Sequence, residues 1–184
     1  MPILGVIASS ITGNLLTNSY DSIATITTST SPSSVTFSGI PQTYQHLQLR
    51  YLARRSDAVG TSGISIQING DGGANYVRNE LYQGNTTAAT SSATGQTQMA
   101  VGYMTGSTAN AGSFGVGVID ILDYANTNKN TVVRALTGAN NNGAGNSNIS
   151  TGVWLNTAAV TSFTFIIGGT FVNNCVFALY GIEG

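Results

Sequence analysis

Apolar and small polar residues alternate one for one along much of this chain, and a two-residue period is the pleat of a β-strand. In residues 45–54, Leu47, Leu49, Tyr51 and Ala53 fall on one side, with His46, Gln48, Arg50 and Leu52 on the other. Ile64, Ile66 and Ile68 repeat the pattern against Ser65 and Gln67. The same reading places strands at 22–28, 34–40, 98–104, 113–122, 131–139, 160–167 and 175–182. Asn69-Gly70-Asp71-Gly72-Gly73 is dense with residues that tolerate positive φ and marks a tight reversal. A single short helix is expected at 74–82, with Tyr76, Val77 and Leu81 facing inward. Residues 83–97 and 140–150, rich in Asn, Gly, Thr and Ser, are expected to be long loops. No fixed-period repeat and no heptad shaft is present, which excludes solenoids, propellers and coiled coils. The expected fold is all-β, a jelly-roll-like β-sandwich of about eight strands.

The first twenty residues do not share this pattern. Ile3, Leu4, Val6, Ile7, Ile11, Leu15 and Leu16 are apolar, are interrupted by Gly5 and Gly13, and fit neither a helical nor a strand period. Residues 1–20 are therefore expected to form an extended arm ahead of one domain at 21–184. So apolar a segment needs cover, from the first sheet of its own domain or from a partner. The partner is preferred, because such arms add sheet-edge hydrogen bonds and fill side-chain pockets on a neighbour. The segment also resembles a short signal sequence, but no basic residue precedes Arg50, so secretion by that route is not expected. No run approaches the ~18 apolar residues of a membrane span, and no membrane partner is expected.

Charge is scarce. Lys and Arg number six and Asp and Glu seven, so charged residues are 7% of the chain, against about a quarter in an average domain. Ser, Thr, Asn and Gly must meet water in their place. The net charge of −1 gives no electrostatic footprint for nucleic acid. Arg50, Arg54 and Arg55 are the sole basic concentration and are read as a solvated or salt-bridged strand end. Cys175 is alone, so no internal disulfide framework exists, and its apolar neighbours predict a buried thiol.

Chemistry-bearing constellations are equally sparse. His46 is the only histidine, and no G-x-S-x-G elbow accompanies it. Asp57, Asp120 and Asp123 could complete a formal triad, but with so many serines that possibility carries no information. Asp120 and Asp123 stand three apart on a predicted strand, hence on opposite faces, which is poor geometry for a carboxylate pair. Asn69 and Asp71 could offer oxygens to Ca²⁺, yet the loop has one carboxylate and no bidentate acid at the right spacing. No cofactor, metal or catalytic residue is expected. Glycan binding is the functional option with named residues: Trp154, Tyr103 and Tyr124 near the polar segments, with Tyr76 and Tyr82 in reserve.

Several stretches resemble small structural proteins of tailed bacteriophages, especially those of cyanobacteria and other aquatic hosts. They are Met1-Pro2-Ile3-Leu4-Gly5-Val6-Ile7-Ala8-Ser9-Ser10, residues 36–50, the turn from Ile68 to Tyr76, residues 120–129 and the ending Phe177-Ala178-Leu179-Tyr180-Gly181-Ile182-Glu183-Gly184. The likeness covers nearly the whole chain and brings no catalytic residues with it. It implies a non-enzymatic virion component, assembled in the host cytoplasm and partnered by capsid or tail subunits. A capsid decoration or cement protein, docked by the arm and assembled as a homo-oligomer such as a trimer, is the first expectation. A tail or fibre receptor-binding module touching host surface glycan is the second. A secreted lectin or hydrolase outside any virus is the third.

Overall fold

The computed structural model describes residues 20–84 and 86–183. Among these, twelve strands form two antiparallel sheets stacked as a β-sandwich, and no helix is present. The strands are β1 (Tyr20–Thr27), β2 (Ser34–Ser38), β3 (His46–Ala53), β4 (Thr61–Ile68), β5 (Tyr76–Gly84) and β6 (Thr87–Gln96). They continue as β7 (Met99–Thr105), β8 (Gly115–Leu122), β9 (Thr131–Asn141), β10 (Ala144–Trp154), β11 (Ser162–Ile166) and β12 (Val176–Ile182). The large sheet runs β1-β12-β3-β8-β9-β10-β5-β6, and the small sheet β2-β11-β4-β7.

Alternation builds the core. Leu47, Leu49, Tyr51, Ile119, Ile121 and Val133 point inward from the large sheet, and Val35, Phe37, Ile64, Ile66, Phe163 and Phe165 meet them from the small one. The centre is aromatic. Phe177 lies 4.9 Å from Phe165 and 5.0 Å from Phe171, and Tyr51 meets Phe165 edge-on at 6.0 Å. Gly117 makes room for that stack, since a Cβ there would fall 2.2 Å from the Tyr51 ring. Cys175 is buried beside Arg54 and Thr28, and burial pushes its thiol pKa up, as expected of a structural cysteine.

All nine expected strands form, with ends shifted by a few residues. Three further stretches differ from expectation. The expected helix at 74–82 is strand β5: Tyr76 points into the core while Val77 and Leu81 lie on the other face, which no single inward-facing helical stripe allows. The expected loop at 83–97 is mostly β6, an edge strand of Thr, Ala and Ser. The expected loop at 140–150 is the turn of the β9–β10 hairpin and the first seven residues of β10, a strand not among those expected. There Asn142 and Gly143 both take positive φ (51° and 90°), as a tight two-residue turn requires. In both cases the period of two is present but is written in small polar residues, so hydrophobicity does not reveal it.

The basic cluster also divides. Arg55 pairs with Asp57 and Ser62, in keeping with a salt-bridged strand end. Arg54 instead is buried and faces no carboxylate. Its guanidinium donates to the carbonyls of Asn110 (2.7 Å), Ser113 (2.8 Å), Ala109 (2.9 Å) and Ser107 (3.2 Å). Those carbonyls belong to the turn between β7 and β8, so a single planar fork holds that whole connection against the end of β3. Replacing Arg54 with Met should cost about 3 kcal/mol and speed hydrogen exchange selectively at 106–114. Equilibrium denaturation combined with exchange mass spectrometry checks both.

Candidate docking face

The large sheet is apolar on both sides, and the outer side has nothing over it among the described residues. Register aligns its exposed side chains into rows that cross the strands. One row runs Val118, Leu136, Ile149 and Leu81 across β8, β9, β10 and β5, ending on Thr90 of β6. Leu136 is 62% exposed, and Ile149 and Leu81 are each 52% exposed. A neighbouring row joins Leu52 to Val116 and reaches Gly138. A third, towards the far end of the strands, joins Leu122, Val132, Val153 and Val77. Scattered single apolar residues are ordinary on a protein surface, but contiguous rows are the mark of an interaction face.

Between the apolar rows lies a line of polar groups that satisfy one another. Gln48 donates to Asp120 at 2.8 Å, and Arg134 donates to the other oxygen of Asp120 at 2.7 Å. Arg50 donates to Gln48 at 2.7 Å and lies over the rings of Tyr180 (4.6 Å) and Tyr20 (5.5 Å). The charges on the face are thus already partnered, so covering it costs less desolvation than exposing bare ions to a partner would. Three shallow depressions of about 400, 460 and 520 Å³ open on it. The middle one lies among Arg50, Val116, Val118 and Leu136, where Gly138 contributes no side chain. Aliphatic walls with Arg and Tyr at one side suit a protein partner.

The glycan candidates do not reach this face. Trp154 is 1% exposed and Tyr124 is fully buried, so neither offers a ring to a sugar. The Trp154 indole N–H donates to Asp71 at 2.7 Å, and the Tyr124 hydroxyl donates to the Pro41 carbonyl. Both therefore lock loops to the core, as buried Trp and Tyr usually do. Tyr103 is half-buried at 6.2 Å from Tyr82, and its hydroxyl pKa is raised by burial. Tyr76, held in reserve, is fully buried, and burial pushes its hydroxyl up to about 12. The arm residues Ile3, Leu4, Val6, Ile7, Ile11, Leu15 and Leu16 lie outside the described residues.

The ionisable candidates have structural partners. His46 accepts the Asp123 N–H on Nδ1 at 2.9 Å. Asp123 sits in the turn after β8 with φ of 48° and accepts from Lys129, while Asp120 stays on the outer face, so the two acids are kept apart. Among the described residues no group of three or more His, Cys, Asp and Glu could hold a metal. Asp71 organises its own turn by accepting from Trp154, Asn75 (2.9 Å) and Gly73 N–H (2.8 Å). No protein-family model, curated protein or solved structure matches this chain.

The face was visible in the sequence only as the second half of the alternation. Leu52, Val116, Val118, Leu122, Val132 and Leu136 sit at positions a one-sided sheet would fill with charge, and that signal was available. Asp71 offers a separate test of the turn. The Trp154 N–H, then Asn75 and Gly73, hold its carboxyl below the usual 3.8. A depressed folded pKa adds stability that is present above the unfolded value and lost as pH falls through the folded one. Wild type should therefore lose more stability than Asp71→Asn between about pH 5 and about pH 2.5, as read from melting curves; parallel losses would show that the turn does not depend on the carboxylate.

Proposed function

We propose that this chain is a non-enzymatic structural protein of a bacteriophage virion, a decoration or cement protein that seals subunits of the capsid shell. It docks through its apolar N-terminal segment and the outer face of its large sheet, and it works as a homo-oligomer. The observation that carries this reading is that outer face: apolar rows across β8, β9, β10 and β5, interleaved with charges already neutralised within the chain. A component that binds only assembled neighbours stabilises the assembly by its binding free energy, and contact area rather than chemistry is what it must supply.

The strand order supports the jelly-roll form of the sandwich. With β5, β6, β9 and β10 set aside, the sheets read β1-β12-β3-β8 and β2-β11-β4-β7. That is two sheets wound together, with every successive pair of strands except β4 and β7 passing from one sheet to the other, as in the jelly rolls of viral capsids. The four strands set aside widen the large sheet on one side only, and that widening creates most of the apolar outer face. The resemblance of the opening and closing segments to phage structural proteins agrees with this reading. The rival, a tail or fibre module that binds glycan, is left without the exposed Trp154 and Tyr124 it would use.

Deleting residues 2–16 should abolish incorporation into particles, counted as copies per particle by quantitative gel or mass spectrometry; unchanged occupancy would remove the anchoring role of that segment. Leu136→Thr with Ile149→Thr should leave the fold intact, because both side chains are exposed and Thr suits a strand, yet lower incorporation at least about tenfold. Full incorporation of that variant would show that the outer face is not the docking surface.

A further inference from the structure

The four sheet edges are not treated alike. β1 carries Asp21 and a register break between Ser22 and Ala24. β2 is five residues long, in a segment bounded by Pro32 and Pro41. β7 is kinked where its pairing with β4 shifts, has Gly102 at φ 151°, and gives its Thr105 carbonyl to the Arg55 N–H. Bulges, inward charge, proline and shortness are the usual ways of stopping a sheet edge from capturing another strand.

β6 has none of these along most of its length. It runs ten residues, Thr87-Ala88-Ala89-Thr90-Ser91-Ser92-Ala93-Thr94-Gly95-Gln96, with no charge and no proline. Its pairing with β5 is regular from Gly84↔Thr87 to Arg78↔Ala93, and the only irregularity lies at the far end. Among the described residues it pairs with β5 alone, so one side of the strand presents a row of open N–H and C=O groups. Its outer-face side chains Ala88, Thr90 and Ser92 are exposed. Long, uncharged and regularly paired on one side, the strand has the features of a template.

We propose that β6 pairs antiparallel with β6 of a second copy of this chain across a two-fold axis, doubling the large sheet. The occupant follows from the strand's composition. A two-fold sets β6 against its own reversed sequence, and Thr, Ala and Ser facing Thr, Ala and Ser bring no like charges and no bulky clash together. Small side chains also leave the backbones free to close to normal strand spacing. The doubled sheet joins the two outer faces, so the Leu81–Ile149–Leu136 rows become parts of one surface. The inference specifies one contact of the homo-oligomer proposed above and makes it two-fold rather than three-fold.

The full-length chain is examined by analytical ultracentrifugation and by hydrogen-exchange mass spectrometry, alongside Thr90→Lys with Ser92→Lys. These two side chains are exposed, so the fold should survive, but a two-fold would set lysine against lysine. The expected result is a wild-type dimer, or an even multiple, with β6 amides protected. The variant should have half that mass and β6 exchange faster by at least about tenfold, with its far-UV circular dichroism unchanged. A wild-type oligomer whose β6 amides exchange freely, or a variant of unchanged mass, would overturn edge pairing while leaving the homo-oligomer in place. A wild-type monomer at the highest soluble concentration would overturn both. Loss of β6 protection on deleting residues 2–16, with the oligomer intact, would assign the edge to the N-terminal segment and likewise overturn the proposal.

Discussion

The aromatic stack between the sheets is the contact from which the rest of the structure follows. Phe165 comes from the small sheet, Phe177 and Tyr51 from the large one, and Phe171 from the connection that leads into β12. Rings of this size set the separation of the two layers, and their burial supplies much of the hydrophobic stabilisation. Once the layers are fixed, the inward positions on β8 and β9 are limited to what the remaining gap admits. Gly117 beneath Tyr51 and the small buried residues Ala135 and Thr137 fill that role. Removing the stack would leave two sheets with no common spacing, and the outer face would lose the support that keeps it regular.

With so few ions, the chain holds its connections by other means. Arg54 gathers four carbonyls of one turn, Asp71 gathers three donors in another, and Tyr124 ties β8's exit to the Pro41 carbonyl. Arg54 and Asp71 each serve several partners with one group, and all three groups are at least partly shielded from water, where such bonds are stronger. Other charges form short local pairs, such as Arg78–Glu80 and Lys129–Asp123. Long-range electrostatics therefore do little here, either in the fold or in attracting a partner. Any partner of this surface would be met through shape, apolar area and backbone hydrogen bonds.

This also explains what could be read from the residues and what could not. Strands whose inward positions are Ile, Leu, Val or Phe were legible, because hydrophobic alternation is the signal that periodicity detects. β6 and β10 were not, because there Ala, Gly, Thr, Ser and Asn fill most positions on both faces. The Asn142-Gly143 pair is the local cue to the β9–β10 hairpin, since Asn-Gly is the strongest short-range hairpin signal. The sequence of β5 reads as a helix because Tyr76, Val77 and Leu81 are all apolar; only the second sheet decides that Tyr76 goes in and Leu81 goes out. Trp154 illustrates the same ambiguity at the level of the site. A lone indole after a polar hairpin reads as a sugar platform or as a core residue with one polar bond, and here Asp71 takes that bond.

The two halves of the large sheet carry different liabilities, and their coincidence is informative. An apolar face without cover tends to associate, and so does a long edge without charge. A free-standing domain would be expected to suppress both, and this chain does suppress the other three edges. Where the face and the open edge meet, at Leu81 and Thr90 on β5 and β6, no such measure is present. Suppression at some edges and its absence at one argue that the absence is selective. The side of the molecule widened by β9, β10, β5 and β6 is thus where the uncovered apolar face and the uncharged edge coincide, which is what the proposed contacts require.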